Sequence, residues 1–317
     1  MTDQILVTGT AGFIGSNLAE TLLKTGYRVM GIDNFDPYYD RKIKEHNIKN
    51  AIQNPAFYFK EGDVRDAAFV ENCFTEFKPD VIIHLAAKAG VRNSLINPQE
   101  YYDVNVMGTL NLLEIMRKNN IKKMIFASSS SVYGNNKKVP FSEADNVDYP
   151  ISPYAASKKA GELLCHTYHH LYKFNISCLR FFTVYGPRQR PDLAIHIFTN
   201  ALLKDEFITL YGDGSTRRDY TYIDDIIQGI IGAIKNLQGY DIFNLGESAT
   251  ISLINLVSLL EKYTKRKAKI NHLPMQEGDV IQTFADISKA RDKLNYNPMV
   301  DIETGIKKYT EGFYYME

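Results

Sequence analysis

Short apolar runs alternate with longer amphipathic stretches over the first 180 residues. Six runs have the length and composition of buried strands: QILVTG from Gln4, YRVMGID from Tyr27, AFYFKEGD from Ala56, DVIIHLA from Asp80, KMIFASS from Lys123 and NISCLRF from Asn175. The intervening segments have helical length and spacing. This rhythm of strand, helix and strand predicts an α/β protein built on a doubly wound parallel sheet. After Arg180 the rhythm loosens, and Pro187, Pro191, YGDGSTRRDY and LPMQEGDV punctuate shorter elements. A smaller C-terminal α/β lobe closing over the carboxyl ends of the strands is expected there. The division predicted is 1–180 for the sheet domain, with strand and helix contributions from later segments, and 181–317 mainly for the second lobe.

A chain of 317 residues can bury a large core as one domain or two coupled lobes. Lys+Arg and Asp+Glu both total 37, which argues against a broad attraction to nucleic acid or an anionic membrane. Any basic site must be local. The start, MTDQILVTGTAGFIG, lacks a basic region followed by an apolar run and a cleavage site, and no apolar run reaches membrane-spanning length. A soluble, cytoplasmic protein without a membrane partner is the expectation. Cys73, Cys165 and Cys178 are too scattered for a disulfide framework or a metal site and read as buried thiols. His166 and His170 have the helical spacing of a zinc pair, but with no third ligand evident they read as exposed helix residues and no metal is expected. The basic run KYTKRKAK from Lys262 lacks interleaved aromatics and reads as a solvated helix end.

Two clusters carry chemistry. In VTGTAGFIGS, Gly9, Gly12 and Gly15 follow a strand and open a helix. Glycines at those places allow a tight turn and close approach of backbone to a pyrophosphate, whose charge the helix N-terminus favours. Asp33 ends the second predicted strand, where a carboxylate accepts hydrogen bonds from an adenosine ribose and repels a 2′-phosphate. Asn34, not a basic residue, follows it, so the cofactor predicted is NAD and not NADP. In YAASK, Tyr154 and Lys158 are four apart and share a helix face. A neighbouring ammonium and an oxidised nicotinamide both favour the phenolate of a tyrosine that acts as a base. Tyr133, in SVYG, has no such helper and reads as a packing residue.

The segments TGTAGFIGS, DVIIHLAAKAGVRNS, YYDVNVMGTLNLLE, SSSSVYG, SPYAASKKAGE, LRFFTVYGPRQRPDLAI and YGDGSTRRDYTYIDD occur in one order along the chain. Together they resemble the extended short-chain dehydrogenase/reductase superfamily and, within it, the NAD-dependent nucleotide-sugar epimerases, above all the UDP-glucuronate and UDP-glucose 4-epimerases. The resemblance implies a Rossmann-type fold whose second lobe binds the nucleotide sugar. It implies that Gly9, Gly12, Phe13, Ile14 and Gly15 hold the NAD pyrophosphate, Asp33 and Asn34 the ribose side, and Asp63 and Val64 the adenine edge. Leu85, Ala86, Ala87, Asn105 and Phe181 complete the dinucleotide site, with Tyr154 and Lys158 reaching the nicotinamide end. Ser129 matches the family's hydroxyl at the reacting sugar oxygen, Tyr154 its acid/base and Lys158 the third member of the set. Tyr211, Arg218 and Asp279 match contacts to the uridine diphosphate, with Arg190 as a further one. A homodimer packed through the helices containing NVMGTLNLLEIM and YAASKKAGELL is also implied.

The implied reaction oxidises C4 of a UDP-sugar to a ketone and reduces it again on the other face. Relatives that dehydrate or decarboxylate the sugar carry an acid just after the catalytic hydroxyl, where this chain has Ser130 and Ser131. Epimerisation is therefore expected. Ser130, Ser131 and Thr183 supply three hydroxyls for the C5 substituent, and three donors suit a carboxylate better than a hydroxymethyl group. UDP-glucuronate to UDP-galacturonate is the predicted conversion. UDP-glucose/UDP-galactose or N-acetylated sugars are the alternative substrates, and a catalytically silent NAD-sensing regulator is the alternative from another class. Lys88 and Arg92, in AAKAGVRNS, suit either a substrate phosphate or carboxylate or a solvated loop.

Overall fold

The computed structural model describes residues 3–275 and 280–313. Its first half alternates β1 (Gln4–Thr8), α1 (Phe13–Lys24), β2 (Arg28–Asp33), α2 (Arg41–Ile52), β3 (Phe57–Glu61), α3 (Ala67–Phe77) and β4 (Val81–His84). The short α4 (Val91–Ile96) and α5 (Pro98–Tyr102) lead through a wider turn into α6 (Gly108–Lys118), then β5 (Lys123–Ser129), the long α7 (Pro153–Tyr172) and β6 (Asn175–Phe181). All six predicted strands form; β1, β2, β4, β5 and β6 are apolar runs buried on both faces, whereas the edge strand β3 buries Phe57 and leaves Tyr58 and Glu61 exposed. The seven-stranded sheet has the order β11-β6-β5-β4-β1-β2-β3 and is parallel throughout.

The seventh strand comes from beyond residue 180. After β7 (Thr183–Tyr185), α8 (Ala194–Leu203), β8 (Phe207–Tyr211), β9 (Arg217–Arg218), β10 (Tyr220–Tyr222) and α9 (Ile223–Lys235), the chain returns as β11 (Tyr240–Leu245) beside β6. Asp241 and Asn244 interrupt the apolar run of β11, which hides it from a reading of hydrophobicity alone. Helix α9 packs on α1, so the sheet's own helical cover also draws on the later chain. The remaining elements, β12 (Ile251–Ser252), α10 (Leu253–Thr264), β13 (Lys269–Leu273), α11 (Ser288–Leu294) and α12 (Ile302–Phe313), complete the second lobe. Three two-stranded sheets, β10 with β7, β12 with β9 and β13 with β8, are formed by the chain after residue 180.

Neighbouring residues of a strand face opposite layers. Ile5, Val7, Ile125 and Leu179 join one core, which runs on without a break into Ile195, Ile208, Leu210, Leu256 and Tyr309 of the second lobe. Leu6, Ile82, Met124, Phe126, Cys165 and Cys178 join the other, against α3, α6 and α7. Cys73, Cys165 and Cys178 are free and buried, as expected. No helix among the described residues is long and apolar enough to cross a membrane.

Candidate active site

The carboxyl ends of the strands open into a cleft of about 480 Å³ lined by the glycine loop, Asp33, Asn34, Asp63, Val64, Leu85, Ala86, Ala87, Phe181 and the serine run. Gly9 adopts φ +72°, and a Cβ there would lie 2.7 Å from the Ala86 nitrogen, so the turn and its contact with the β4 loop both require glycine. A Cβ on Gly12 would meet only the Gly9 oxygen, at 3.2 Å. The α1 N-terminus therefore presents bare backbone to the cleft, as a pyrophosphate cradle needs. Asp33 accepts hydrogen bonds from the amides of Ala11 and Phe35, both at 2.9 Å. Burial raises its pKa against those bonds. Asn34 donates to Asp63 at 2.9 Å, and Asp63 is held down to about 2, chiefly by its hydrogen bond from Arg65.

Helix α7 brings the reacting end together. Ser152 caps it by accepting from the Ala155 amide at 3.1 Å, and Pro153 occupies its first turn, where a missing N–H costs nothing. In the same first turn, Tyr154 faces Ser129 at the end of β5. Burial raises the pKa of the Tyr154 phenol, while its hydrogen bond with Ser129 and the positive charge of Arg190 act to lower it. Lys158 is buried and donates to the Ala127 carbonyl at 2.9 Å, its pKa pulled down to about 8 by desolvation. The spacing of four puts Lys158 on the face of Tyr154, and both line the cleft; the ammonium bonds the strand end, and Arg190 adds a second positive charge near the phenol.

The serine run divides. Ser129 accepts from the Ser131 amide at 3.2 Å and donates to the Ser131 hydroxyl at 3.1 Å, capping a 3₁₀ turn over Ser130–Tyr133. Ser130 and Ser131 line the cleft with Tyr154, Thr183 and Arg190. Ser128 turns the other way and donates to Glu162 at 2.6 Å. Tyr133 is buried, donates to Asn244 at 2.7 Å and packs on Phe141, the packing role predicted for it.

A second cavity of about 610 Å³ continues from the first past Tyr38, Thr183 and Arg190 into the C-terminal lobe, where Arg92, Tyr211 and Arg218 line it. Arg190 grips Asp192 with two hydrogen bonds of 2.9 and 2.8 Å and lies over the Tyr38 ring. Arg92 lies over the Tyr211 ring, 4.9 Å from its centroid. One cleft thus suits a dinucleotide, the other a second, anionic ligand, and Tyr154 lines the first along with Thr183 and Arg190, which the two cavities share.

A family model described as GDP-mannose 4,6 dehydratase matches residues 6–309. The chain is 45% identical over 304 residues to the UDP-glucuronate 4-epimerase of Thermodesulfobacterium geofontis, covering 96% of this chain and 94% of the relative. Among solved structures it superposes with TM-score 0.94 on the UDP-glucuronic acid 4-epimerase of Bacillus cereus in complex with UDP-glucuronic acid and NAD, at 39% identity over 99% of this chain and 100% of that one. The Thermotoga maritima UDP-glucose 4-epimerase with UDP-glucose follows at 34% identity and TM-score 0.90, over 99% of both chains. The chain belongs to the extended short-chain dehydrogenase/reductase family.

Within this extended short-chain dehydrogenase/reductase, nearly all the residues singled out from sequence converge on the two joined cavities. Asn105 is set apart. It is buried behind the cleft, where its side chain accepts from the Lys88 amide at 2.8 Å and donates to the Lys88 carbonyl and to Ser157. Its place on the wider turn before α6 lets it clamp a lining loop from outside. Asp279 lies outside the described residues. Lys88 forms ion pairs with Asp36 and Glu100 at 2.9 and 2.7 Å, whereas Arg92 reaches the second cavity. The sequence reading missed Asp36, Tyr38, Tyr39 and Lys44, which line the first cleft from the segment after β2. Their one signal is the pair of tyrosines five and six residues beyond the acidic end of that strand, which no periodicity marks. His166 and His170 are exposed, and the described residues hold no group of three His, Cys, Asp or Glu arranged to bind a metal ion.

Proposed function

We propose that this chain interconverts UDP-glucuronate and UDP-galacturonate through a 4-keto sugar, with NAD held as a resident cofactor. Gly9, Gly12 to Gly15, Asp33, Asp63, Val64 and Leu85 to Ala87 would hold NAD, and the bare backbone at Gly12 supports that fit. The chemistry NAD supplies there is reversible acceptance of the hydride from C4 of the sugar. Tyr154 takes the proton of the 4-hydroxyl and later returns it, while Ser129 holds the same oxygen through its hydroxyl. Arg190, Tyr211, Arg218 and Arg92 bind the diphosphate and uridine side, and the neutral wall of Thr183 leaves the keto sugar room to turn over. In this reading residues 1–180 with the later strand and helix serve NAD, and 181–317 mainly serve the sugar nucleotide.

The observation that carries the choice of sugar is the row of neutral hydroxyls, Ser130, Ser131 and Thr183, lining the cleft beside Tyr154. A 4-ketouronate is a β-keto acid and loses carbon dioxide when its carboxylate bond aligns with the carbonyl π-system. Three donors to the carboxylate hold it out of that alignment, and no acid stands at Ser130 or Ser131 to promote loss. The glucuronate-converting relatives support the same choice. A panel of UDP-glucuronate, UDP-glucose and UDP-N-acetylglucosamine, read by separating the C4 epimers, tests it. Faster conversion of UDP-glucose than of UDP-glucuronate would overturn the assignment.

We read the working form as a cytoplasmic homodimer joined through α6 and α7. Exposed Met107 just before α6 and exposed Leu163 and Leu171 on α7 favour that surface. A monomeric mass by light scattering would contradict it.

A further inference from the structure

Behind the reacting residues lies a closed polar row. Ser128 of β5, Arg180 of β6 and Asn244 of β11 are register partners across three adjacent parallel strands. Residues level with one another in a parallel sheet point to one face, so the three side chains form a line. Glu162 of α7 closes it on one side, taking two hydrogen bonds of 2.8 Å from Arg180 and one of 2.6 Å from Ser128. Tyr133 closes it on the other, accepting from Arg180 at 3.0 Å and donating to Asn244 at 2.7 Å. Every member is buried; Arg180 and Glu162 each keep 1% of their surface exposed. A buried ion pair is poor material for stability, because apolar side chains of the same volume do as well without the desolvation cost. Its return must be sought in geometry.

The geometry is a lock between α7 and the end of β5. Tyr154, Lys158 and Glu162 are spaced by four and form one stripe along α7. They face three successive residues of β5: Tyr154 lines the cleft beside Ser129, Lys158 donates to the Ala127 carbonyl and Glu162 accepts from the Ser128 hydroxyl. Sliding the helix along the strand would stretch the Lys158 and Glu162 bonds together and carry Tyr154 past Ser129. Arg180 fixes the Glu162 carboxylate from the neighbouring strand, so the deepest of the three contacts cannot drift.

We propose that Ser128 and the Glu162–Arg180 pair are positioning residues for the 4-epimerisation, holding the Tyr154 and Ser129 oxygens at the separation at which both reach the 4-oxygen of the sugar. The inference rests on the reading of Tyr154 and Ser129 as the reacting pair. It also gives the first serine of the run its task, one that faces the fold and not the substrate.

The test compares the full-length wild type with Ser128→Ala and Ser128→Thr on UDP-glucuronate. Ser128→Ala should lower kcat about tenfold, since small displacements of a reacting group are costly, with KM changed less than about twofold and the NAD retained on purification unchanged. Ser128→Thr, which keeps the hydroxyl, should recover most of the loss. Tyr133→Phe removes the far support of Arg180 and the bond to Asn244 while leaving the Ser128 and Arg180 bonds to Glu162, and should cost no more than about threefold in kcat. Wild-type kcat in Ser128→Ala would overturn the positioning role. So would a joint fall of kcat, NAD content and melting temperature that Ser128→Thr does not repair, or a larger loss in Tyr133→Phe than in Ser128→Ala. A wild type that epimerises no UDP-sugar would bring down the reading of Tyr154 and Ser129 as well, which separates the two failures.

Discussion

Two tyrosines near the same strand end differ in what surrounds their hydroxyls. Tyr154 touches Ser129 and feels Arg190, whereas Tyr133 is spent on Arg180 and Asn244 inside the fold. Tyr154→Phe should therefore retain NAD and substrate but lose about a hundredfold or more in kcat, because it keeps the ring and removes the proton acceptor. Initial rates for Tyr154→Phe and Tyr133→Phe under one assay decide the matter; equal losses would mean that the base has been misassigned. The hydroxyl row makes its own prediction. Replacing Ser131 and Thr183 by alanine removes two bonds to an ionised acceptor, each worth about 1.5–3 kcal/mol, so uronate turnover should fall at least about tenfold. Residual UDP-glucose turnover should fall less, and chromatography should reveal more pentose nucleotide from decarboxylation. A uniform loss on both sugars without extra pentose would remove the carboxylate from the picture.

At the level of elements, α7 is the part on which the chemistry depends most. Its N-terminus is fixed by Ser152, so Ser152→Ala should destabilise the protein by about 1 kcal/mol and lower the melting temperature by about 2 °C. Because Tyr154 lies in the first turn, kcat should fall alongside, and a calorimetric scan paired with an activity assay checks both. An unchanged melting temperature would show that the Ser152 bond contributes nothing. The elements were largely readable from the chain, since β1 to β6 are apolar runs and the glycine loop and YAASK are local signals. The seventh strand was not, because Asp241 and Asn244 break its apolar pattern and only pairing with β6 makes it a strand. The line from Ser128 through Arg180 to Asn244 was hidden for a related reason. Its members come from distant segments, and register across the sheet brings them level. The helix face of Lys158 follows from its spacing, but its bond to the Ala127 carbonyl depends on where β5 ends, which spacing does not describe.

On the scale of the whole molecule, the two lobes share one core and also one acidic joint. Glu247, just after β11, has a buried carboxylate oxygen without a hydrogen-bond partner among the described residues. Burial, followed by the charges of Asp225, Asp219 and Asp301, raises its pKa to about 8, with Arg291 opposing. An acid raised in the folded state is protonated there while its unfolded counterpart, near 4.5, is already ionised. The fold therefore loses stability as pH rises from about 4.5 to about 8, and changes no further above that. Glu247→Gln should melt higher than the wild type at pH 8 and alike at pH 4.5, with a gain of about 1–2 kcal/mol after allowance for solvent screening at this half-buried group. Denaturation midpoints at the two pH values test it, and a gain of equal size at both would exclude titration as the cause.

The serine run also bears on how such an enzyme can change its substrate over evolutionary time. Strand β5 ends at Ser129, and Ser130 and Ser131 stand in a 3₁₀ turn outside the sheet ladder. Side chains at those two places can be exchanged without removing a strand pairing or the bond from Ser128 to Glu162. Innovation at the sugar and integrity of the scaffold are thus assigned to adjacent residues on opposite faces of one short segment. A lineage could try an acid at position 131, or a bulkier neutral group, while its folding remained under separate selection at Ser128.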